Sequence, residues 1–370
     1  MNEPLLGERE LEYVAECLRT GWISSAGRFI EEFEAKWAAY CGMKHGVAVS
    51  SGTAALQVAM GSLRLEEGDE VIMPTFTIIS CAMAVAYNGG VPVLVDSDPD
   101  TWCMDVSQIE GKITPRTRAV MPVHIYGHPV DMDPVLELAR KYGLLVVEDA
   151  AEAHGVEYKG RRCGGLGDIS CFSFYANKVI TTGEGGMVLT DDETYAESAR
   201  SLRNLCFRKE QRFYHTDLGH NFRFTNLQAA LGVAQLERIK EIVARKRWIG
   251  QVYSERLKDI PGLILPVERT WAKNIYWMFG VVLEESTGMD APEFARRLAD
   301  CGVETRPFFL GLHEQPAFLE RGWFQNERYP VAERLARQGL YLPSGLALSE
   351  EQLHKVCRAV RSVCQEPVRR

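Results

Sequence analysis

VIMPTFTIISCAMAVAYNGGVPVLV, residues 71–95, sets the reading of this chain. An apolar run at 71–73 gives way to a helical pattern over about 77–88, and a second apolar run follows at 91–95. The same unit recurs on both sides. Apolar runs appear at 47–49, 119–123 and 144–147, with helical patterns at about 53–65, 105–112 and 132–142. Repeated strand-then-helix units predict a mostly parallel sheet covered on both faces, an α/β fold. Ligands in such sheets bind beyond the carboxyl ends of the strands, which is where chemistry is to be sought.

Upstream, Leu11, Val14, Ala15 and Leu18 have helical spacing, and Gly21 reads as the stop. Phe29, Phe33, Trp37 and Tyr40 make a second amphipathic helix. Downstream, a helix is expected near 192–205. Thr225 and Gln228 then have the spacing of a capping box and open one long helical stretch to about residue 257. Pro261-Gly262 closes it. The remainder carries apolar runs at 276–283 and 303–309 and helical patterns at 291–300, 329–338 and 350–363. A chain of 370 residues is long for one core. We expect a large domain, 1–257, that includes the N-terminal helices and the long linking helix, and a smaller α+β domain, 258–370.

Composition narrows the function. Apolar content of 46% and charged content of 25% are ordinary for a globular protein. A net charge of −8 argues against nucleic-acid or polybasic membrane partners, though not against a phosphorylated ligand held by a few local donors. The ten cysteines form no C-x-x-C pair, so reduced thiols in the cytoplasm are expected, without structural zinc. No signal-type segment and no apolar run of roughly 20 residues is present. His124 and His128 are four apart, but Gly127 and Pro129 argue against the helix a metal pair would need, so no metal is expected. Neither a dinucleotide G-x-G-x-x-G after an early strand nor a P-loop occurs.

Three segments carry chemistry. In VAVSSGTAALQVAM (47–60) a strand ends in a turn and a helix starts. The free N–H groups and dipole of that start suit a phosphate, with Gly52 allowing close approach and Ser51 and Thr53 adding hydroxyls. Ser and Thr also favour an ordinary N-cap there. In LLVVEDAAEAHG (144–155) a buried strand delivers Glu148 and Asp149 to its carboxyl end. Alternation lets only one of them face a given side. In CFSFYANKVITTGEGGMVL (171–189) a lone lysine, Lys178, lies between two apolar stretches, with Ser173 before it and a glycine-rich turn after it. Desolvation lowers a lysine's pKa and frees the neutral, nucleophilic amine. An amine for an aldehyde, an acid for a pyridine nitrogen and a cradle for a phosphate are together what pyridoxal 5′-phosphate requires.

The segments SGTAAL (51–56), EDAAEA (148–153), SFYANK (173–178) and TTGEGG (181–186), in this order and spacing, resemble the sugar aminotransferases of the DegT/DnrJ/EryC1/StrS family. The resemblance covers essentially the whole chain. It implies the fold type I architecture of pyridoxal phosphate enzymes and a homodimer with shared active sites. It implies that Lys178 binds the cofactor covalently and then moves the proton. It also sets Asp149 against the ring nitrogen, Glu152 near the phenolic oxygen, and Ser51, Gly52, Thr53 and Ser173 around the phosphate. GHNFRFTNLQAALG (219–232) resembles the stretch that enters a neighbour's site, with Asn221 reaching the phosphate across the dimer. Dehydratase relatives have histidine where Lys178 stands. One departure is that the aromatic usually stacked on the ring is replaced by Ile78, so an aliphatic face there or a shifted Phe76 must serve.

GWISSAGRFIEEFE (21–34) and MPVHIYGHPVDMDP (121–134) are most similar to the branch that aminates C4 of GDP-4-keto-6-deoxymannose, with L-glutamate as the implied donor. Trp22, Ser24, Ser25, Arg306 and His313 are the substrate-side candidates. Leu310-Gly311 stands where relatives often have a proline, and UDP- or dTDP-linked ketosugars and keto-cyclitols stay open. The rival from another class is a cofactor-binding protein without turnover.

Overall fold

The computed structural model describes residues 3–208, 211 and 213–365. Its centre is a seven-stranded sheet of β1 (His45–Val49), β2 (Glu70–Pro74), β3 (Val91–Val95), β4 (Thr117–Val120), β5 (Leu145–Asp149), β6 (Ile169–Ser173) and β7 (Gly186–Thr190). The strand order is β1-β7-β6-β5-β4-β2-β3. Only β7 runs antiparallel to its neighbours. Strands β2, β6 and β7 are buried along their whole length. That is why their central residues, Val71–Met73, Cys171–Phe172 and Met187–Leu189, are apolar without alternation. Helices Gly52–Leu63, Ser80–Tyr87 and Met132–Tyr142 fall where the pattern places them. The N-terminal helix Glu8–Thr20 stops at Gly21, whose φ of 75° suits glycine.

Two local expectations fail for physical reasons. The pattern at 105–112 forms two 3-10 turns, Val106–Gln108 and Glu110–Lys112. Asp105 satisfies the Ser107 N–H and competes with regular helix. The stretch from Thr225 to 257 is not one helix but two, Asn226–Glu237 and Ile239–Leu257, broken at Arg238 (φ −104°, ψ 7°). The capping box at its start is real: Thr225 Oγ1 accepts the Gln228 N–H at 3.2 Å, and Gln228 Oε1 accepts the Thr225 N–H at 3.0 Å. The first helix packs wholly with the main core; the second starts there, with Ile239, Ile242 and Val243, and passes into a second core from Ile249 onward. Ala229, Ala230 and Val233 pack with the main sheet. Ile249, Tyr253 and Leu257 pack in a second cluster with Phe279, Phe294 and Val360.

That second cluster lines a four-stranded antiparallel sheet of Leu263–Ile264, Phe279–Leu283, Gly339–Leu342 and Arg306–Pro307, in that spatial order. The run at 303–309 yields only the two-residue edge strand, because Pro307 has no N–H to extend a ladder. Helices Ala291–Asp300, Pro330–Gln338 and Glu350–Gln365 belong to this part of the chain. Among the described residues no helix is long and apolar enough to cross a membrane.

Candidate active site

At the carboxyl end of β5 the chain presents two neighbouring acids to opposite sides. Glu148 turns away from the ligand side and is fully buried. Its Oε1 accepts the N–H groups of Leu166 and Gly167, and its Oε2 accepts that of Gly164, each at 2.7 Å. His124 Nε2 lies 2.9 Å from Oε2. The Val130 N–H donates to His124 Nδ1, so Nε2 carries the proton and donates to Glu148. Burial alone would push the Glu148 carboxyl up, but these bonds hold it below its usual range. His124, Glu148 and Cys163 lie within 4.8 Å of one another. Both His124 nitrogens and both Glu148 oxygens are engaged in these bonds, so His124 and Glu148 act as a hydrogen-bonded joint for the loop 164–167.

Asp149 faces the other way, into a cavity of about 310 Å³. Its Oδ1 accepts the Ala151 N–H at 3.0 Å, and its Oδ2 is 3.0 Å from Cys81 Sγ. Across the cavity is Lys178. Its side chain is 10% exposed, and its Nζ lies 3.8 Å from Glu152 Oε1 and 3.8 Å from the centre of the Trp277 ring. Burial pulls the Lys178 amine below its usual value, while Glu152 and Asp149 pull the other way. Glu152 is pushed up by burial, against the opposing effects of Lys178 and of the Tyr126 N–H, which donates to Oε2 at 2.7 Å. The result is a buried amine drawn toward its neutral form by desolvation and toward its charged form by the two acids.

The third wall is the junction of β1 with the helix Gly52–Leu63. Ser51 Oγ accepts the Ala54 N–H at 3.1 Å, so this hydroxyl works as the N-cap. The first N–H groups of the helix sit at the cavity wall formed by Ser51, Gly52 and Thr53. Thr53 Oγ1 pairs with Ser80 Oγ at 2.9 Å. A Cβ on Gly52 would lie 2.6 Å from Ser173 Cβ, so only glycine lets β6 and this helix start close around one anion. An amine, a carboxylate and a helix N-terminus thus line one cavity of the right chemistry for pyridoxal phosphate.

Of the residues named from sequence, Ser51, Gly52, Thr53, Asp149, Glu152, Ser173, Lys178 and Ile78 line the cavity. Ile78 is 41% exposed, whereas Phe76 is 1% exposed and packs against Tyr126, Phe308 and Phe309 behind the wall. Ile78, and not Phe76, therefore lines the cavity. The substrate-side candidates are not gathered there. His313 is buried, with Nδ1 2.8 Å from Thr75 Oγ1 and its ring against Tyr329, and does not line the cavity. Arg306 is exposed and donates to the Thr305 carbonyl. Trp22, Ser24 and Ser25 are exposed in the turn before the helix Arg28–Cys41. Asn221 is also exposed, in a backbone bridge with Asn204. Sequence reasoning missed Tyr175, Asn177, Trp277, Phe309 and Tyr341, which also line the cavity. The first two lie inside the lysine segment itself. Trp277 sat in an apolar run that reads as core, and its Nε1 donates to the Asn177 carbonyl at 2.9 Å.

With fold and site described, the class is defined: residues 4–361 match the DegT/DnrJ/EryC1/StrS aminotransferase family, and the chain belongs to it. It is a pyridoxal phosphate-dependent sugar aminotransferase of fold type I. Among individual relatives, it is 43% identical over 362 residues to a GDP-perosamine synthase of Caulobacter vibrioides, covering 97% of this chain and 96% of that one. It is 42% identical over 358 residues to the GDP-perosamine synthase of Escherichia coli O157:H7, covering 97% and 96%. Among solved structures it resembles the aminotransferase TlmJ of Streptoalloteichus hindustanus (TM-score 0.91, 34% identity, 98% and 97% covered). It also resembles DesV of S. venezuelae in complex with a ketimine intermediate (TM-score 0.90, 38% identity, 96% and 94% covered).

Proposed function

We propose that this enzyme moves the amino group of L-glutamate to the C4 ketone of GDP-4-keto-6-deoxy-D-mannose, giving GDP-perosamine. The observation that carries this reading is the identity of 43% and 42%, over nearly the full length, to two proteins named GDP-perosamine synthase. Bound pyridoxal phosphate supplies an electron-accepting ring that stabilises charge on the substrate carbon. The chain supplies the rest. Lys178, whose amine burial shifts downward, would attach the cofactor and would carry the proton at the reacting carbon. Asp149 is the carboxylate for the ring nitrogen, and Glu152 the acid beside the phenolic oxygen. The N-terminus at Gly52 and Thr53, with Ser51 and Ser173 beside it, holds the phosphate. Ile78 lines the cavity and would cover one face of the bound ring. The enzyme works in the cytoplasm as a homodimer, in which Asn221 of the partner subunit completes the phosphate site. Exposed Phe213, Tyr214 and Leu218 near that segment supply apolar area for such a contact. The part up to residue 257 carries the cofactor, and the part after it closes the cavity with Trp277, Phe309 and Tyr341.

The test is a mass-spectrometric amination screen with glutamate as donor. GDP-, UDP- and dTDP-linked 4-keto-6-deoxy sugars and a keto-inositol are offered as acceptors. Preferred turnover of the GDP-linked ketone at C4 is the expected outcome. Faster amination of a UDP- or dTDP-linked sugar or of the cyclitol refutes the substrate. A bound cofactor whose colour responds to no amino donor refutes turnover altogether.

A further inference from the structure

Helix Ser80–Tyr87 aims a thiol at the back of the Asp149 carboxylate. Cys81 Sγ lies 3.0 Å from Asp149 Oδ2, and both residues are sealed from solvent, at 0% and 2% exposure. An ionised carboxylate can only accept. Burial and the neighbouring acid push the Cys81 thiol well up, so the sulfur keeps its proton and donates it to Oδ2. Thr77 Oγ1 lies 3.4 Å from the same sulfur. With S–H committed to Asp149, the sulfur is free to accept from the Thr77 hydroxyl. Thr77, Cys81 and Asp149 thus form a one-way chain of donors that ends on the carboxylate. The other oxygen, Oδ1, takes the Ala151 N–H. Each oxygen is tied by one donor, so the carboxylate plane cannot turn.

We propose that Cys81 is a positioning residue for the cofactor: its thiol fixes the orientation of Asp149 and draws off part of the charge that this carboxylate presents to the bound ring. This rests on reading Asp149 as the partner of the ring nitrogen. Without the S–H bond the carboxylate rotates more freely, and binding weakens. It also presents more negative charge, which holds protons on the cofactor more tightly. The pH midpoint of the bound cofactor's visible band then moves up. A hydroxyl is a better donor than a thiol, so serine in this place keeps the chain intact.

The test compares wild type, Cys81→Ala, Cys81→Ser and Asp149→Asn. Pyridoxal phosphate is titrated into each apo-protein to give Kd, and the visible band of each loaded protein is followed against pH. For Cys81→Ala we expect Kd about tenfold weaker, the low end for a bond to a charged acceptor, and a midpoint about half a unit higher. Cys81→Ser should keep the wild-type affinity, with a midpoint no higher than wild type. A sulfur that only fills space would let alanine and serine behave alike, and that result overturns the proposal, as does an unchanged or lowered midpoint in alanine. If Asp149→Asn itself leaves Kd and midpoint as in wild type, the assignment of Asp149 fails and this proposal fails with it. Should thermal melts show Cys81→Ala to be unstable, Cys81→Val repeats the comparison by filling the sulfur's volume without a donor.

Discussion

Replacing Glu152 by Gln should make Lys178 reactive at lower pH. The two side chains meet at 3.8 Å inside a buried cavity. At an effective dielectric of about 20, unit charges at that separation attract by about 4 kcal/mol, equivalent to roughly three pK units on the lysine. Glu152, itself pushed up by burial, gives up part of its charge near neutral pH. The expected drop is therefore between about one and three units. Glutamine keeps the volume and an oxygen for the Tyr126 N–H, so the wall of the cavity is preserved. The sign follows from the charge: Glu152 favours the ammonium form, and without it the neutral amine persists to lower pH. Only the neutral amine attacks the cofactor's aldehyde. The assay is stopped-flow capture of pyridoxal phosphate by apo-protein, with the growth of the visible band measured across pH. A Glu152→Gln profile whose midpoint matches the wild type, or lies above it, refutes the claim that this acid sets the state of the amine.

Three further outcomes follow from the same geometry. Lys178→Ala should lose borohydride-fixable cofactor while still binding it reversibly, and peptide mapping that finds the label on another lysine in wild type would show the assignment to be wrong. Gly52→Ala puts a Cβ 2.6 Å from Ser173 Cβ, so it should destabilise by about 1–3 kcal/mol and weaken phosphate-dependent cofactor binding, seen in Tm and Kd. Normal values for both would mean the junction is looser than described. Glu148→Gln turns an amide N–H₂ toward backbone donors and should cost about 3 kcal/mol of stability in urea melts. Because the folded-state carboxyl lies below its usual 4.5, its contribution is complete above that pH and is lost as pH falls through the folded value. The stability gap between wild type and variant should therefore narrow below about pH 4.5, and a gap that widens in acid contradicts this reading.

How much of this was readable from the chain depended on whether a feature is local. The units around 47–63, 70–95 and 117–149 were legible because strands buried on both faces must be apolar throughout and helices between them must show one apolar stripe. The capping box at Thr225 was legible for the same reason, since its partners are three residues apart. The break at Arg238 was not. Both halves are good helix, and both sides of the break, Val233 and Leu236 before it and Ile239 and Ile242 after it, pack in the main cluster, so no local change of pattern marks it. Alternation stated that Glu148 and Asp149 part company, but only the tertiary arrangement decides which faces the lysine.

The lysine's surroundings show the same limit more sharply. Lys178 and Glu152 lie in segments whose chemistry can be suspected from sequence. The cavity around them is also lined by Trp277 and Tyr341, which lie some hundred or more residues further on, beside and within strands where they are indistinguishable from core. Trp277 is tied to the lysine segment twice, by its N–H on the Asn177 carbonyl and by its ring face under Nζ. An ammonium over an indole in a desolvated site gains on the order of 2 kcal/mol, a stabilisation comparable to what Glu152 gives after allowance for its partial protonation. The reactivity of the amine is therefore set jointly by the part of the chain that carries it and the part that closes over it. Any motion that lifts Trp277 away would remove one stabiliser of the charged form while admitting water, which restores it. Those effects oppose each other. The pH profile of Glu152→Gln, in which only the carboxylate changes, is therefore a cleaner probe of this amine than any truncation of the tryptophan.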